Sequence, residues 1–326
     1  MELTVFLAAA QGLVRGSLSL ESSEIHDRML IDQEATSVAS AGTHLFAGTK
    51  GGIYRSSDRG ESWSAANEGL KEHHVRWLAV HPEKEQLLLA GFEPAAIYVS
   101  EDAAVTWRER PDVAKLRDRF NWMLPYSPES GCVRGFYLQG SRAYAAVEVG
   151  GLLRSNDWGD TWALASASDG IPSFGPVKEE KLHPDVHSVN GHPSSANLIF
   201  APTGGGFFVS EDGGESFERR YPPCYCRAVW VDPADARHLV LGPASGVDRN
   251  GRIMETLNSG ESWEPVESGL ETPWQRTMVE RFYGHNDMLL ALLSDGRLFF
   301  SELGQWNWLQ IFEEAPGIRA LAISDP

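Results

Sequence analysis

Residues 56–63 read Ser-Ser-Asp-Arg-Gly-Glu-Ser-Trp, and four near copies of this octapeptide follow along the chain, at residues 100–107, 155–162, 210–217 and 256–263. All five fit the pattern Ser/Thr-x-Asp-x-Gly-x-x-Trp/Phe, except that one copy has Ala104 in place of Gly and another has Asn258 in place of Asp. A motif that returns every 44 to 55 residues is typical of a repeat architecture.

The motif predicts a tight turn that joins two strands. An Asp carboxylate accepts backbone N–H bonds within such a turn, and Gly takes the positive φ that the turn requires. The closing Trp or Phe is large and flat, so it buries much area between neighbouring sheets. The motif is therefore a folding device, which indicates the fold and carries no catalytic signal.

Short strands surround each copy of the motif. Around the first copy, residues 36–40, 45–49, 53–56 and 62–66 are strand-like, and turns such as Lys50-Gly51-Gly52 separate them. Four short strands in a repeat of this length predict one blade of a β-propeller.

The same pattern covers the chain as a single domain, residues 1–326. The first 31 residues supply only the second, third and fourth strands of a blade, and residues 317–323 resemble a first strand without the rest of its blade. If the C-terminal strand completes the N-terminal blade, the ring closes and no sheet edge stays open. The sequence thus predicts an all-β fold, a seven-bladed β-propeller. The predicted blades are residues 1–31 with 317–326, then 34–67, 73–110, 132–165, 185–220, 225–268 and 275–312.

Composition and charge restrict the class of partner. The chain has 42% hydrophobic and 22% charged residues, which is ordinary for a globular protein, and a net charge of −17. Nucleic acid and anionic membrane surfaces need a basic footprint, so neither is expected as a partner. Three cysteines suggest no disulfide framework, and no metal or other cofactor is predicted.

The N-terminal segment is apolar over residues 3–10 but lacks the basic leading residues of a signal peptide. It fits a strand that is followed by a turn at Gln11-Gly12. No apolar run is long enough to cross a bilayer, so we expect a cytoplasmic protein.

With these motifs in place, the chain resembles the Asp-box propeller superfamily, whose motif is also called the bacterial neuraminidase repeat. Val147-Glu148-Val149-Gly150-Gly151 and His183-Pro184-Asp185-Val186-His187 look like stretches of uncharacterised bacterial members of glycosyl hydrolase type. The superfamily also includes sialidases, xyloglucan hydrolases, sortilin-type receptors and photosystem II assembly factors. The resemblance implies the fold and leaves the function open between enzyme, receptor and scaffold. The early Arg-Ile-Pro of sialidases is absent.

The first strand of each propeller blade begins at the mouth of the central channel, where ligand sites usually lie. Aligned on this position, six blades carry a basic side chain: Arg76, Arg134, His187, Arg227, Arg276 and Arg319. Arginine is always charged, and its planar fork suits carboxylate or phosphate. In a chain of net charge −17, this cluster predicts a site for an anionic small molecule, glycan or peptide. The alternative is that each arginine pairs with a nearby Asp or Glu and simply fills the mouth.

Two carboxylates belong to the same face of the predicted ring. Glu148 ends a second strand, and Asp185 precedes the first strand of the adjacent blade. Glycosidases need such a pair, so these two residues are the candidate catalytic carboxylates of a glycosidase or lyase. The alternative is that they neutralise Arg134 and Arg227. A metal held by the two carboxylates and His187 has weak support, because no second histidine lies nearby.

Aromatic residues in the long connections between blades complete the candidate site. Trp122 and Trp274 are expected to overhang the mouth and bind the ligand, and the connection over residues 166–185 adds Phe174. Exposed rings beside polar groups suit sugars or flat ligands. The alternative is that they pack down over apolar surface.

Three functions remain open from the sequence. The first is a binding protein for an anion at the arginine-lined mouth. The second is a glycosidase or lyase that uses Glu148 and Asp185. The third is a scaffold that binds a protein partner.

Overall fold

The computed structural model describes residues 2–126, 131–173, 175, 178 and 180–324. Over these residues the chain forms 28 β-strands and one α-helix. The strands make seven antiparallel sheets of four strands each, which is the predicted seven-bladed β-propeller. Within the described residues, no helix is long and apolar enough to span a membrane.

Each blade is one sheet, in which the first strand named lines the central channel and the others follow outward. Blade 1 contains β28 (Ile318–Ser324), β1 (Leu3–Ala9), β2 (Gly12–Leu18) and β3 (Ser23–Met29). Blade 2 contains β4 (Ala35–Ala41), β5 (His44–Thr49), β6 (Gly52–Ser56) and β7 (Ser64–Ala65). Blade 3 contains β8 (Val75–His81), β9 (Lys84–Phe92), β10 (Ile97–Ser100) and β11 (Arg108–Glu109). Blade 4 contains β12 (Cys132–Gln139), β13 (Arg142–Glu148), β14 (Gly151–Ser155) and β15 (Ala163–Leu164).

The second half of the ring follows the same order. Blade 5 contains β16 (Asn190–His192), β17 (Ser195–Thr203), β18 (Gly206–Ser210) and β19 (Glu218–Arg219). Blade 6 contains β20 (Tyr225–Val231), β21 (Leu239–Ala244), β22 (Met254–Thr256) and β23 (Glu264–Pro265). Blade 7 contains β24 (Val279–His285), β25 (Met288–Leu293), β26 (Leu298–Glu302) and β27 (Leu309–Ile311). Helix α1 (Pro111–Phe120) lies in the connection between blades 3 and 4.

The two ends of the chain meet in blade 1. Strand β28 pairs antiparallel with β1, from Thr4 opposite Ser324 to Ala9 opposite Ile318. The C-terminal strand is therefore the innermost strand of the N-terminal blade, as the sequence predicts. This pairing closes the ring with backbone hydrogen bonds between residues that are more than 300 positions apart.

The five motif copies form five turns with one hydrogen-bond pattern. In the first, Ser56 Oγ donates to Asp58 Oδ1 at 2.7 Å and accepts from the N–H of Gly60 at 2.8 Å. Asp58 Oδ1 also accepts from the N–H of Ser62 at 2.9 Å. Ala104 adopts a φ of 65°, so the copy without glycine still takes the left-handed backbone that the turn needs.

The closing aromatic residue of the motif packs between blades. Trp107 lies between β10 and β11 of blade 3, is 3% exposed, and donates from Nε1 to the carbonyl of Ala66, which follows β7 of blade 2, at 2.9 Å. Its cluster includes Phe46 from blade 2 and Leu88 from blade 3. The turns therefore hold neighbouring blades together through buried apolar area, which is the main driving force for packing.

A β-bulge near the start of the innermost strand is common to six blades. The register shifts there by one residue, so one side chain is inserted opposite the partner strand. In blade 5, Val186 bridges Thr203 just before β16, and His187 takes the equivalent place. Bulges re-aim side chains and are common beside functional sites.

Candidate functional site

One side chain from each blade lies at the mouth of the channel, at the bulge in six blades and at the equivalent place in blade 5. In blade order from blade 1 these are Arg319, Thr36, Arg76, Arg134, His187, Arg227 and Glu280. Five of the six basic residues predicted from sequence thus share one structural position. The structure adds that the seventh blade supplies an acid.

The sixth predicted residue, Arg276, does not belong to this position. It is exposed and lies in the turn before β24, which begins at Val279. The alignment of the first strands was wrong at blade 7 because the connection from blade 6 is longer than its residue pattern indicates. Trp274 forms a β-bridge with Gly251, and β24 begins only at Val279. The position that we assigned to Arg276 is occupied by Glu280.

Glu280 joins two arginines across the channel. Its Oε2 lies 2.8 Å from Nη1 of Arg227, and its Oε1 accepts a hydrogen bond from Nη2 of Arg134. Burial alone would raise the pKa of Glu280, but the charges of Arg134 and Arg227 hold it well below its ordinary value. The carboxylate is therefore ionised and bound on both sides.

Arg134 extends this arrangement into blades 4 and 5. Its Nη1 lies 3.2 Å from Glu148 Oε2 and 3.1 Å from Nδ1 of His187. Because a guanidinium only donates, Nδ1 accepts and the ring proton sits on Nε2, which lies 3.3 Å from Asp185 Oδ2. We call these six residues the ionic cluster: Arg134, Glu148, Asp185, His187, Arg227 and Glu280.

The two candidate catalytic carboxylates lie inside the ionic cluster. Glu148 is 5% exposed and Asp185 is 6% exposed. Burial would raise the pKa of Glu148, but Arg134 and His187 more than offset it, so the pKa is lowered. Burial likewise opposes the effect of His187 on Asp185, and the pKa of Asp185 falls to about 2. Both groups are held ionised, which gives the pair no proton donor for glycosidic bond cleavage.

The same pair forms a possible metal-binding group with His187. One donor atom from each of Glu148, Asp185 and His187 lies within 4.8 Å of the others. Arg134, however, contacts two of these three residues and already offsets the negative charge that would attract a cation. We assign no metal to this group.

Beside the ionic cluster, the mouth opens into a cavity of about 440 Å³, which we call the mouth cavity. Blades 1, 2, 3, 4 and 7 line it, and the connection that precedes blade 4 adds Tyr126. Five of the lining side chains are cations: Lys50, Arg76, Arg134, Arg281 and Arg319. Two are carboxylates, Glu93 and Glu280. Arg134 and Glu280 belong to both regions and form the boundary between them.

Most cations of the mouth cavity have carboxylate partners. Arg76 Nη1 lies 2.5 Å from Glu93 Oε2. Arg319 pairs with Glu34, which also lies 2.8 Å from Nζ of Lys50. This agrees with the alternative weighed from sequence, that acidic neighbours neutralise the arginines.

Arg281 differs from the other cations of the mouth cavity. Its guanidinium carbon lies 3.6 Å from the centre of the Trp77 ring, and its Nη2 donates to the carbonyl of Arg134. Among the described residues, no carboxylate lies within ion-pair distance of Arg281. Burial lowers the pKa of Arg281, and the nearby Tyr283 and Glu280 offset this effect only in part. Trp77, Glu280 and Arg281 also line a second cavity of about 180 Å³.

The predicted aromatic ligands pack into the protein. Trp122 is 2% exposed, and its Nε1 donates to the carbonyl of Gly170 at 2.9 Å. Trp274 is 7% exposed and packs against Phe299. The expectation that these two rings contact a ligand is therefore corrected, because both lie in the apolar interior. Phe174 lies outside the described residues.

The aromatic side chains that do face the mouth cavity are Trp77 and Tyr126. Tyr126 is 60% exposed, and its hydroxyl donates to Glu148 Oε2 at 2.9 Å. Trp77 lies one residue beyond the bulge of β8, so its ring borders the channel. Sequence reasoning missed Trp77 and Arg281, although each directly follows a bulge residue.

Solved structures of other proteins share the propeller fold of this chain. An ancestral GH74 enzyme matches with a TM-score of 0.64 at 15% identity, over 98% of this chain and 40% of that one. The GH74 xyloglucanase from Xanthomonas campestris matches with a TM-score of 0.64 at 17% identity, over 86% and 45%. YCF48 bound to D1 peptide matches with a TM-score of 0.62 at 13% identity, over 92% and 88%.

These likenesses show the fold. This chain spans less than half the length of either GH74 enzyme and most of the length of YCF48. No family model and no curated protein matches the chain. Similar propellers thus include glycoside hydrolases and a peptide-bound protein, and the site must decide between such functions.

Proposed function

We propose that this protein binds an anionic ligand in the mouth cavity. The observation that carries the proposal is the convergence of five cationic side chains on one cavity of about 440 Å³. The protein as a whole carries a net charge of −17, so anions are not attracted to it in general. A local positive lining inside a low-dielectric recess focuses the field and attracts an anion to that point.

The size of the cavity fits a small molecule or one end of a larger ligand. Small-molecule pockets have volumes of roughly 300–1,000 Å³. The innermost strands of five blades carry eight of the fourteen lining residues, so paired strands hold more than half of the site in place before a ligand binds. The exposed ring of Tyr126 at its border supplies contact area for a ligand that extends outward.

In this proposal Glu148 and Asp185 are counter-ions for the basic residues of the ionic cluster. A glycosidase needs one carboxyl group that holds a proton near neutral pH, and its pKa must be raised. The pKa values of Glu148 and Asp185 are both shifted down. Neither residue lines the mouth cavity. Hydrolysis by this pair is therefore the less favoured function.

Thermal denaturation in the presence of anions tests the proposal. A ligand that binds only the folded state stabilises it by about 2.7 kcal/mol when present at 100 times its Kd. We expect acetate, benzoate, phosphate or sulfate to raise the Tm of the wild type, and Arg76→Gln to reduce the effect. Arg237→Gln is the matched control, because Arg237 is an exposed arginine that pairs with Asp235 elsewhere. Equal shifts in wild type and Arg76→Gln would contradict the proposal.

A peptide is the second candidate for the ligand. The observation that favours it is the exposure of Tyr126, a cavity-lining residue that is 60% exposed and can contact a ligand that extends beyond the cavity. YCF48, a propeller of similar fold, is solved bound to D1 peptide. Binding of acidic peptides from a random library, measured with wild type and Arg76→Gln, tests this candidate. Selection of peptides without an acidic or C-terminal carboxylate at the binding position would count against it.

A further inference from the structure

We infer that the ligand of the mouth cavity is a monocarboxylate with an apolar body, and that Arg281 holds its carboxylate. This inference rests on the proposed function, since it names the ligand class for the same cavity. Four observations carry it: the pairing of the cations, the geometry of Arg281, the lining of the cavity and its size.

The carboxylate partners of the cations that line the mouth cavity indicate the charge of the ligand. Lys50 and Arg319 share Glu34, while Arg76 has Glu93. Arg134 has both Glu148 and Glu280. Among the described residues that line the cavity, Arg281 is the cation without a carboxylate within 4.0 Å. A partly buried charge without a partner is costly, so one additional negative charge is favourable at this position.

A second negative charge has no equivalent partner. A phosphate dianion would have to compete with the existing carboxylates for Arg76 or Arg134. Those ion pairs are buried or partly buried, and like charges at close distance disfavour each other. Charge matching therefore favours a monoanion over a dianion.

The geometry of Arg281 selects a planar anion. Its guanidinium stacks on the indole of Trp77 and is fixed further by the bond from Nη2 to the carbonyl of Arg134. No other hydrogen bond joins this guanidinium to a described residue. Its remaining N–H groups can therefore donate in the plane of the fork, which matches the two oxygens of a carboxylate.

The rest of the lining suits an apolar body. Besides its charged residues, the cavity presents the apolar or aromatic side chains of Trp77, Tyr126, Leu293 and Ile318, together with the polar Thr36, His74 and Ser294. A volume of about 440 Å³ is about fifteen times the roughly 30 Å³ that one water molecule occupies in the liquid, so a carboxylate group alone fills only a small part of it. Burial of an apolar body against these side chains supplies affinity that a small inorganic anion cannot obtain.

Isothermal titration with defined probes tests the inference. The probes are phenylacetate, its neutral analogue phenylacetamide, and inorganic phosphate. We expect phenylacetate to bind the wild type about tenfold or more tightly than either of the others, since a charge-assisted bond of about 1.5–3 kcal/mol corresponds to at least that ratio. Arg281→Gln should weaken phenylacetate binding about tenfold or more and leave phenylacetamide unchanged.

Two further variants keep the test decisive. Arg281→Lys retains the charge and loses the planar fork, so it should bind phenylacetate with an intermediate affinity. Arg237→Gln should bind like the wild type. A circular dichroism melt of each variant checks that it is folded, and if Arg281→Gln is unfolded the comparison uses Arg281→Lys.

The outcomes separate the inference from the proposed function. Phosphate that binds as tightly as phenylacetate, or phenylacetate binding that is unaffected by both Arg281 variants, would overturn the inference and leave an anion site in place. If the wild type binds no anion at a concentration about a hundred times a typical micromolar Kd, both the inference and the proposed function are overturned.

Discussion

The ionic cluster and the mouth cavity occupy the same end of one symmetric ring, yet one is filled and the other is open. In the ionic cluster, Arg134, Arg227 and His187 contact Glu148, Asp185 and Glu280, and the side chains bridge the channel. In the mouth cavity, Arg281 has no matching carboxylate among the described residues, and about 440 Å³ stays unfilled. The repeat fixes where side chains point, and residue identity decides whether they close the mouth or leave a binding site.

The largest expected effect comes from removing a cation from the ionic cluster. Arg134→Met leaves Glu148 without its buried partner, and Glu280 keeps Arg227 alone. Breaking a buried pair typically costs about 3–5 kcal/mol, and we expect a loss of this size in the free energy of unfolding. Urea denaturation at pH 7 measures it. A loss below about 1 kcal/mol would show that the cluster is not an energetically coupled unit.

The second prediction concerns how the free energy of unfolding changes at acidic pH. The pKa of Asp185 is about 2 in the folded protein and about 3.9 in an unfolded chain. Because the folded value is depressed, the stabilisation is fully present above about pH 5 and is lost as the pH falls through the folded value. The difference corresponds to about 2–3 kcal/mol.

Asp185→Asn checks this pH dependence. The variant should be less stable than the wild type by about 2–3 kcal/mol at pH 6, and the gap should shrink towards zero as the pH falls to about 2 and below. Urea denaturation over this pH range measures the gap. A difference that stays constant with pH would mean that the charge of Asp185 does not contribute.

The third prediction contrasts the mouth cavity with the ionic cluster. Arg281→Gln removes a cation that lacks a carboxylate partner among the described residues, so no buried acid is left uncompensated. The loss of stacking on Trp77, about 0.5–2 kcal/mol, opposes the relief of an unpaired charge. We expect the free energy of unfolding to change by less than about 1 kcal/mol. Destabilisation as large as that of Arg134→Met would remove the distinction between the two regions.

The smallest effect is expected for Arg276, which lies outside both regions. Its exposed side chain is in the turn before β24, so Arg276→Ala should change stability by less than about 0.5 kcal/mol. Anion binding should be unaffected in the thermal-shift assay. A clear reduction in anion binding would restore this residue to the site.

The fold was predictable because its signals are local. Each motif turn is built from residues within four positions of each other, such as Ser56 with Gly60 and Asp58 with Ser62. The closure of blade 1 followed from a surplus strand at one end and a missing strand at the other. These features need no knowledge of contacts between distant residues.

The site was only partly predictable because its contacts are distant in sequence. Arg134 and Glu280 lie 146 positions apart, so nothing local marks them as partners. The residue pattern before β24 does not indicate the β-bridge between Gly251 and Trp274. For this reason the sequence did not predict that Glu280 and Arg281 lie at the mouth of the channel. Trp122 was misplaced because composition does not distinguish a ring that overhangs a site from one that packs beneath it.

The most direct test of the anion site is a crystal structure of the protein with phenylacetate. We predict the carboxylate in the mouth cavity, about 3 Å from the guanidinium nitrogens of Arg281, with the phenyl ring among the apolar lining residues. Phenylacetate bound instead within the ionic cluster, or in the cavity with its carboxylate on another cation and Arg281 unoccupied, would contradict this assignment.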